Sequence, residues 1–239
     1  MMSASSIKSA GAAGHYFEQD DYYVDGLSPS AWVGSGAETL GLTGDVDRET
    51  FKQCLEGHLP TGERVGTVRD GEWKHQPGTD LTFSAPKSVS ILAEVAGDQR
   101  LLTAHDRAVQ SVLAHIEQEY IVTRNRCRAT DTVEYEKTGS MVAATFKHTT
   151  SRALDPQLHT HAVVMNLTQR ADGEWRSTEN KSIFIDQKHL GLVYRQYLAE
   201  EVQSLGYRLD HGRDGTWEIS GLDKDVIREF SKRSEAIGD

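Results

Sequence analysis

The sequence predicts a protein that mixes helices and strands, in an α/β or α+β arrangement. Three observations carry this. Charged residues make up 26% and aromatic residues 8% of the chain, with 21 glycines, which fits a folded soluble protein rather than a fibrous or disordered one. From Gln99 to about Tyr120 apolar residues recur as Leu101, Leu102, Ala108, Val109, Val112, Leu113 and Ile116, the spacing of a helix with one buried face. Three apolar-rich β segments then follow in succession, at Thr132 to Tyr135, Met141 to Lys147 and His159 to Thr168.

Taken in order, Ser6 to Gln19 is rich in Ala and Gly and predicts a packed helix ending near Asp20-Asp21. Asp47 can cap a short amphipathic helix carrying Phe51 and Leu55 at i and i+4. Gly71 to Thr79 reads as a surface loop, and Asp80 to Phe83 as a short strand. Ser84 can then cap, and Pro86 begin, a helix running to Gly97. Lys137-Thr138-Gly139 splits the first two β segments, and Ala171-Asp172-Gly173 turns the third back into Glu174-Trp175-Arg176. A second amphipathic helix spans Gln187 to Leu205 and stops at Gly206. Short strands at Tyr207 to Leu209 and Trp217 to Ile219 precede a charged helix from about Asp223.

At 239 residues the chain is long enough for one large domain with a substantial core. No apolar run reaches the length of a membrane span, and the first residues show no charged leader followed by an apolar stretch, so the expected location is cytoplasmic, without membrane insertion. Cys54 and Cys127 lie far apart with no CxxC spacing, which disfavours a disulfide framework or a cysteine metal site. The net charge of −10 argues against a nucleic-acid partner, but charge is unevenly distributed. Residues 17 to 50 hold eight acids against one base, whereas residues 121 to 152 hold six bases against three acids.

The most informative stretch is Gln157 to Val164, which contains His159-Thr160-His161. On a strand residues i and i+2 project from one face, so these two imidazoles stand side by side and can grip one metal ion. His148 ends the preceding β segment, and an antiparallel return of about ten residues brings it alongside. Three neutral imidazoles would leave positions on the ion for substrate oxygens, as in a catalytic site. An HxH pair also fits plain polar alternation on an exposed strand. Near the start stand His15-Tyr16-Phe17 and Asp20-Asp21-Tyr22-Tyr23. A phenol attacking phosphorus forms a phosphotyrosine that keeps the energy of the broken ester. Core packing of the same aromatics is the alternative. Asp80, at the start of its strand, could orient a histidine ring, accept the proton of a tyrosine, or simply cap a turn.

The tyrosine cluster, Asp80-Leu81-Thr82-Phe83-Ser84-Ala85-Pro86-Lys87-Ser88-Val89-Ser90, and His148 with Thr150-Ser151-Arg152 through Pro156-Gln157-Leu158-His159-Thr160-His161-Ala162-Val163 together resemble the MobF-type conjugative relaxases of the HUH endonuclease superfamily. The resemblance covers the whole chain and implies an α+β fold, a five-stranded antiparallel palm with helices packed on it. It implies one relaxase domain over residues 1–239, the N-terminal fragment of a larger relaxase-helicase. The implied activity is strand-specific nicking and strand transfer of single-stranded DNA at a plasmid transfer origin. In that scheme Tyr16 attacks the scissile phosphate, forms a 5′-phosphotyrosine and releases a 3′ hydroxyl, while Tyr22 or Tyr23 serves a later transfer. His148, His159 and His161 hold a divalent ion, with Mg or Mn favoured and Zn, Ni or Co possible, and Asp80 orients a ligand or helps activate Tyr16. Arg152 and Lys87 are candidates for DNA contact, and relaxosome accessory proteins and a coupling protein are the implied partners. One departure is that Tyr16 is followed by Phe17 where relatives carry a tyrosine pair; another is the short chain. The competing readings are a rolling-circle replication initiator or transposase-like HUH nuclease, a metal-dependent hydrolase without a covalent intermediate, and a non-catalytic DNA-binding module.

Overall fold

Three central strands carry the site, and the rest of the fold exists to hold them in register. A computed structural model describes residues 1–11, 29–127, 130–151 and 155–230. Its main sheet contains β1 (Met2–Ile7), β2 (Ser30–Val33), β5 (Gly78–Ser84), β8 (Ala143–Thr150) and β9 (Pro156–Met165), ordered β1-β5-β9-β8-β2 with every pairing antiparallel. This is the five-stranded palm implied by the family resemblance. Two further pairs, β3 (Thr67–Arg69) with β4 (Glu72–Lys74) and β6 (Val122–Cys127) with β7 (Thr132–Lys137), stand as separate ribbons, as do the short pairs β10 (Thr168–Gln169) with β11 (Trp175–Arg176) and β12 (Leu209–His211) with β13 (Trp217–Ile219).

The helices given by the described residues include α1 (Ser35–Thr39), α2 (Arg48–Leu55), α3 (Lys87–Glu94), α4 (Arg100–Tyr120), α5 (Lys181–Ile185), α6 (Gln187–Ser204) and α7 (Lys224–Glu229). Alternation along the strands divides their side chains between two cores. Leu81, Phe83, Leu158, Ala162 and Val164 face α4 and α6, where they meet Leu101, Val112, Ile116, Leu190, Tyr194 and Leu198. Val163, Met165, Ala144 and Phe146 face the other way, into a smaller core with Trp32, Phe51, Cys54 and Leu55 from around α2. Phe51 meets Phe146 edge to face at 5.4 Å between ring centroids. Asp47 caps α2 as expected, its Oδ2 accepting the Thr50 N–H at 2.8 Å. Cys54 is a free buried thiol, pushed up to about 12 by burial.

Several expectations need correction. Ser6 and Ile7 belong to an edge strand rather than to a helix, because the alternating residues of Met2–Ile7 can pair with β5 while Met2 enters the larger core. The rest of the expected N-terminal helix falls largely outside the described residues. The stretch read as a loop after Gly71 contains β4 and the first residues of β5, since Asp70 and Gly71 both take positive φ and close a hairpin. Ser84 ends β5 and caps nothing; instead Glu218 Oε2 accepts the Ser88 N–H at 2.8 Å, so the start of α3 is satisfied from a distant strand. Thr132 to Tyr135 does form strand, but it pairs with β6, which the sequence did not reveal, and not with the main sheet.

Candidate metal centre

β9 carries two of the histidines and β8 the third. His148 and His159 are register partners, Phe146 pairs with His161, and on the other side of β9 Thr82 pairs with His161 and Ser84 with His159. All three imidazoles therefore leave the same face of the sheet, the face away from α4 and α6. Their ring centroids form a nearly equilateral triangle with sides of 5.0, 5.5 and 5.3 Å. His148 and His161 are buried and His159 is half-buried.

The start of β9 is held from the α3 side. Ser90 Oγ accepts the Leu158 N–H at 3.0 Å, the Ala85 N–H donates to the Leu158 carbonyl at 3.0 Å, and Lys87 Nζ donates to the Pro156 carbonyl at 2.9 Å. These contacts fix the backbone on the approach to His159. Desolvation lowers the affinity of the Lys87 ammonium for its proton, against the opposing pull of Asp155 and Glu218.

Two of the rings are also oriented by groups behind them. The His161 Nδ1 lies 2.9 Å from Asp80 Oδ2 and 3.1 Å from Oδ1, so it carries the proton and donates to the carboxylate. Thr82 Oγ1 adds a third neighbour at 3.2 Å. The His159 Nδ1 donates to the Gln157 carbonyl at 2.8 Å. Both arrangements leave Nε2 as the bare nitrogen, the tautomer that a metal ligand needs. Burial first, then the neighbouring His159 and His161, push the His148 ring down to about 3, so it is neutral at physiological pH.

The donor set fits an ion. One nitrogen of each ring lies within 4.8 Å of the other two. His148 Nδ1 and His159 Nε2 are 3.3 Å apart, close to the roughly 3.3 Å that separates two nitrogens each about 2.0–2.1 Å from a tetrahedral ion. Asp80 supplies the carboxylate behind one ligand, an arrangement common to metal-bound histidines.

Around the opposite end of the same strands, near Thr79 and Asn166, opens a cleft of about 1270 Å³. Asn166 lies five residues beyond His161, about 16 Å along an extended strand. Eight basic side chains line the cleft, among them Lys8, Arg64, Arg124, Arg176 and Lys181, against two acids, Asp70 and Glu179. That excess of six positive charges is invisible in the overall charge of −10. The basic stretch read from the sequence, residues 121 to 152, contains Arg124 and Arg126; the other cations of the cleft come from separate segments.

Tyr16, Tyr22 and Tyr23, proposed from the sequence as nucleophiles, lie outside the described residues, as does Arg152. The segment that contains the tyrosines rejoins the described chain at Pro29, whose carbonyl accepts the Lys147 N–H at 3.2 Å, one residue before His148.

The family model described as TrwC relaxase matches residues 10–239. The multifunctional conjugation protein TraI of Escherichia coli strain K12 is 42% identical over 99% of this chain, which spans 14% of that relative's length. A solved structure of the conjugative relaxase TrwC with oriT DNA, metal-free, superposes with a TM-score of 0.88 at 42% identity, covering 100% of this chain and 82% of the other. A metal-bound structure of the same relaxase with oriT DNA gives a TM-score of 0.89 at the same identity and coverage.

Proposed function

The chain belongs to the TrwC relaxase family, and from that premise we propose that it nicks and rejoins one strand of DNA at a plasmid transfer origin through an active-site tyrosine. The observation that carries this reading is the histidine triangle backed by Asp80, joined on the same sheet to a basic cleft. Relatives bearing this fold have been solved with oriT DNA, one of them with a 27-mer comprising a recognition hairpin and the cleavage site.

In this scheme Tyr16 Oη bonds to the scissile phosphorus while the bond from phosphorus to the 3′ oxygen breaks. The phenol gives up its proton and the leaving oxygen takes one up to depart as a 3′ hydroxyl, so the exchange is proton-neutral overall, and the 5′ phosphate stays on the tyrosine. His148, His159 and His161 would hold a divalent ion, Mg or Mn by preference. When bound, the ion supplies positive charge against the non-bridging phosphate oxygens. Asp80 keeps His161 in the tautomer that presents Nε2. Both of its oxygens already lie against Nδ1, which favours an orienting role over that of general base for the tyrosine. The basic cleft holds the DNA backbone at a fixed distance from the imidazoles. Tyr22 or Tyr23 serves the later transfer, and Arg152 and Lys87 support the DNA near the start of β9.

Incubating the chain with a single-stranded transfer-origin oligonucleotide and Mg or Mn, then running a denaturing gel, tests the proposal. A covalent protein-DNA band with a free 3′ hydroxyl fragment is expected. Cleaved DNA with no adduct would instead mark a water-activating hydrolase.

A further inference from the structure

The face of β9 opposite the imidazoles carries a buried polar chain that the proposed reaction does not use. Thr160 sits between His159 and His161 and points the other way, into the helix layer. Its Oγ1 lies 2.8 Å from Nε2 of His105 on α4, and the His105 Nδ1 lies 2.8 Å from the Tyr194 hydroxyl on α6. His105 and Tyr194 have no exposed surface, and Thr160 is 4% exposed. In a core otherwise filled by apolar side chains, such a chain must be fully satisfied to be tolerated, and here each imidazole nitrogen has a hydroxyl partner.

The next residue of the same helix repeats the pattern. Asp106 Oδ2 accepts from Lys147 Nζ at 2.7 Å, and Lys147 is the register partner of Thr160. Adjacent residues of α4 thus grip two paired residues that are next to the ligands in sequence: Lys147 precedes His148, and Thr160 separates His159 from His161. Apolar packing resists separation of helix and sheet but is nearly indifferent to small sliding, whereas directional hydrogen bonds are not.

We infer that His105 is a positioning residue: by holding Thr160 from behind, with Tyr194 fixing its ring, it sets the spacing of the three imidazoles on the front of the sheet. The inference rests on the reading of those imidazoles as a metal site. A metal site tolerates only small departures in ligand distance, so even slight drift of β9 against β8 would register as lost affinity.

The test is titration calorimetry of Mn²⁺ into the full chain, alongside thermal melts of the metal-free protein. Thr160→Val removes the hydroxyl and keeps the shape; it is expected to weaken Mn²⁺ binding by about tenfold to a hundredfold, the range usual for groups behind a ligand. Thr160→Ser restores the hydroxyl and should return the affinity to that of the starting protein. Tyr194→Phe should weaken binding in the same direction as Thr160→Val, and it provides an independent arm if Thr160→Val does not fold. Wild-type affinity in folded Thr160→Val or in Tyr194→Phe, with only the melting temperature lowered, would overturn the inference and leave the metal site standing. Absence of Mn²⁺ binding by the unaltered chain would overturn both.

Discussion

Asp80 and His161 face each other across neighbouring strands, with both carboxylate oxygens within 3.1 Å of a single ring nitrogen. The pair occupies a diagonal position in the ladder, since Asp80 is registered with Val163 and His161 with Thr82, and all four side chains share one face. Replacing Asp80 with Asn keeps the shape but offers an amide where a charge had held the imidazole. Asp80→Asn is expected to slow nicking and weaken metal binding by about ten- to a hundredfold while leaving the circular dichroism spectrum unchanged. An unaltered rate would reduce Asp80 to a structural contact.

Loss of the imidazoles should separate chemistry from binding. The double variant His159→Ala, His161→Ala is expected to lose both divalent-ion binding and nicking, and to retain DNA affinity in a gel-shift assay, because the basic cleft lies elsewhere. Chelation of the wild-type protein should give the same pattern reversibly. Cleavage at the wild-type rate by the double variant would place the site wrongly.

The order of the tyrosines is a sharper matter. One phenol alone can occupy the in-line position behind the leaving oxygen in the first cut. Tyr16→Phe removes a single oxygen and is expected to abolish the covalent adduct on a nic-site oligonucleotide, while Tyr22→Phe and Tyr23→Phe still form it. Mass spectrometry that maps the first-turnover adduct of the wild-type protein to Tyr22 or Tyr23 would reverse the assignment.

Cations in the cleft should act through the DNA backbone. Arg124→Ala and Lys181→Ala are each expected to weaken binding across sequences, and each should flatten the plot of log affinity against log salt by roughly 0.7–0.9. A variant that weakens one DNA sequence selectively, with an unchanged salt slope, would indicate contact with a base edge instead.

Acid should destabilise the fold through its buried imidazoles. Burial, as the leading cause, pushes His105 down to about 3, His148 to about 3 and His75 to about 4, against an ordinary value of 6.5. The unfolded chain binds protons at these groups between those values and the folded chain does not, so stability rises with pH across that interval. The contribution is complete above about pH 6.5 and is lost as pH falls toward 4 and then 3. Melting temperatures measured with chelator should therefore decline below about pH 6.5, and His105→Gln should make the decline shallower. An unchanged slope in that variant would show that His105 is not held neutral by the fold.

Much of the centre was legible because its signals are local. His159 and His161 announce a shared face by spacing alone, and His148 needs only an antiparallel return to join them. The long helix α4 and the cap at Asp47 follow from periodicity and from one polar side chain at a helix start. What escaped reading depends on partners remote in the chain. β1 consists largely of small polar residues and becomes a strand because β5 offers it an edge. The start of α3 is satisfied by Glu218, over a hundred residues away, so the nearby Ser84 was a natural but mistaken choice. The cleft draws its cations from separate segments, and no window of sequence contains its charge. His105 reads as an interruption in an apolar helix face until Thr160 and Tyr194 are seen around it.

Strand β9 alternates imidazoles with residues of the larger core over its central span, Leu158 and Ala162 on one side and His159 and His161 on the other. A slip of one residue would exchange the two sets, driving the imidazoles into the helix layer and Leu158 into water. The correctness of the fold and the competence of the reaction are thus written in the same letters. For this strand a turnover assay doubles as proofreading of the register: a molecule that completes the cut has, by that act, reported that its sheet was assembled without error.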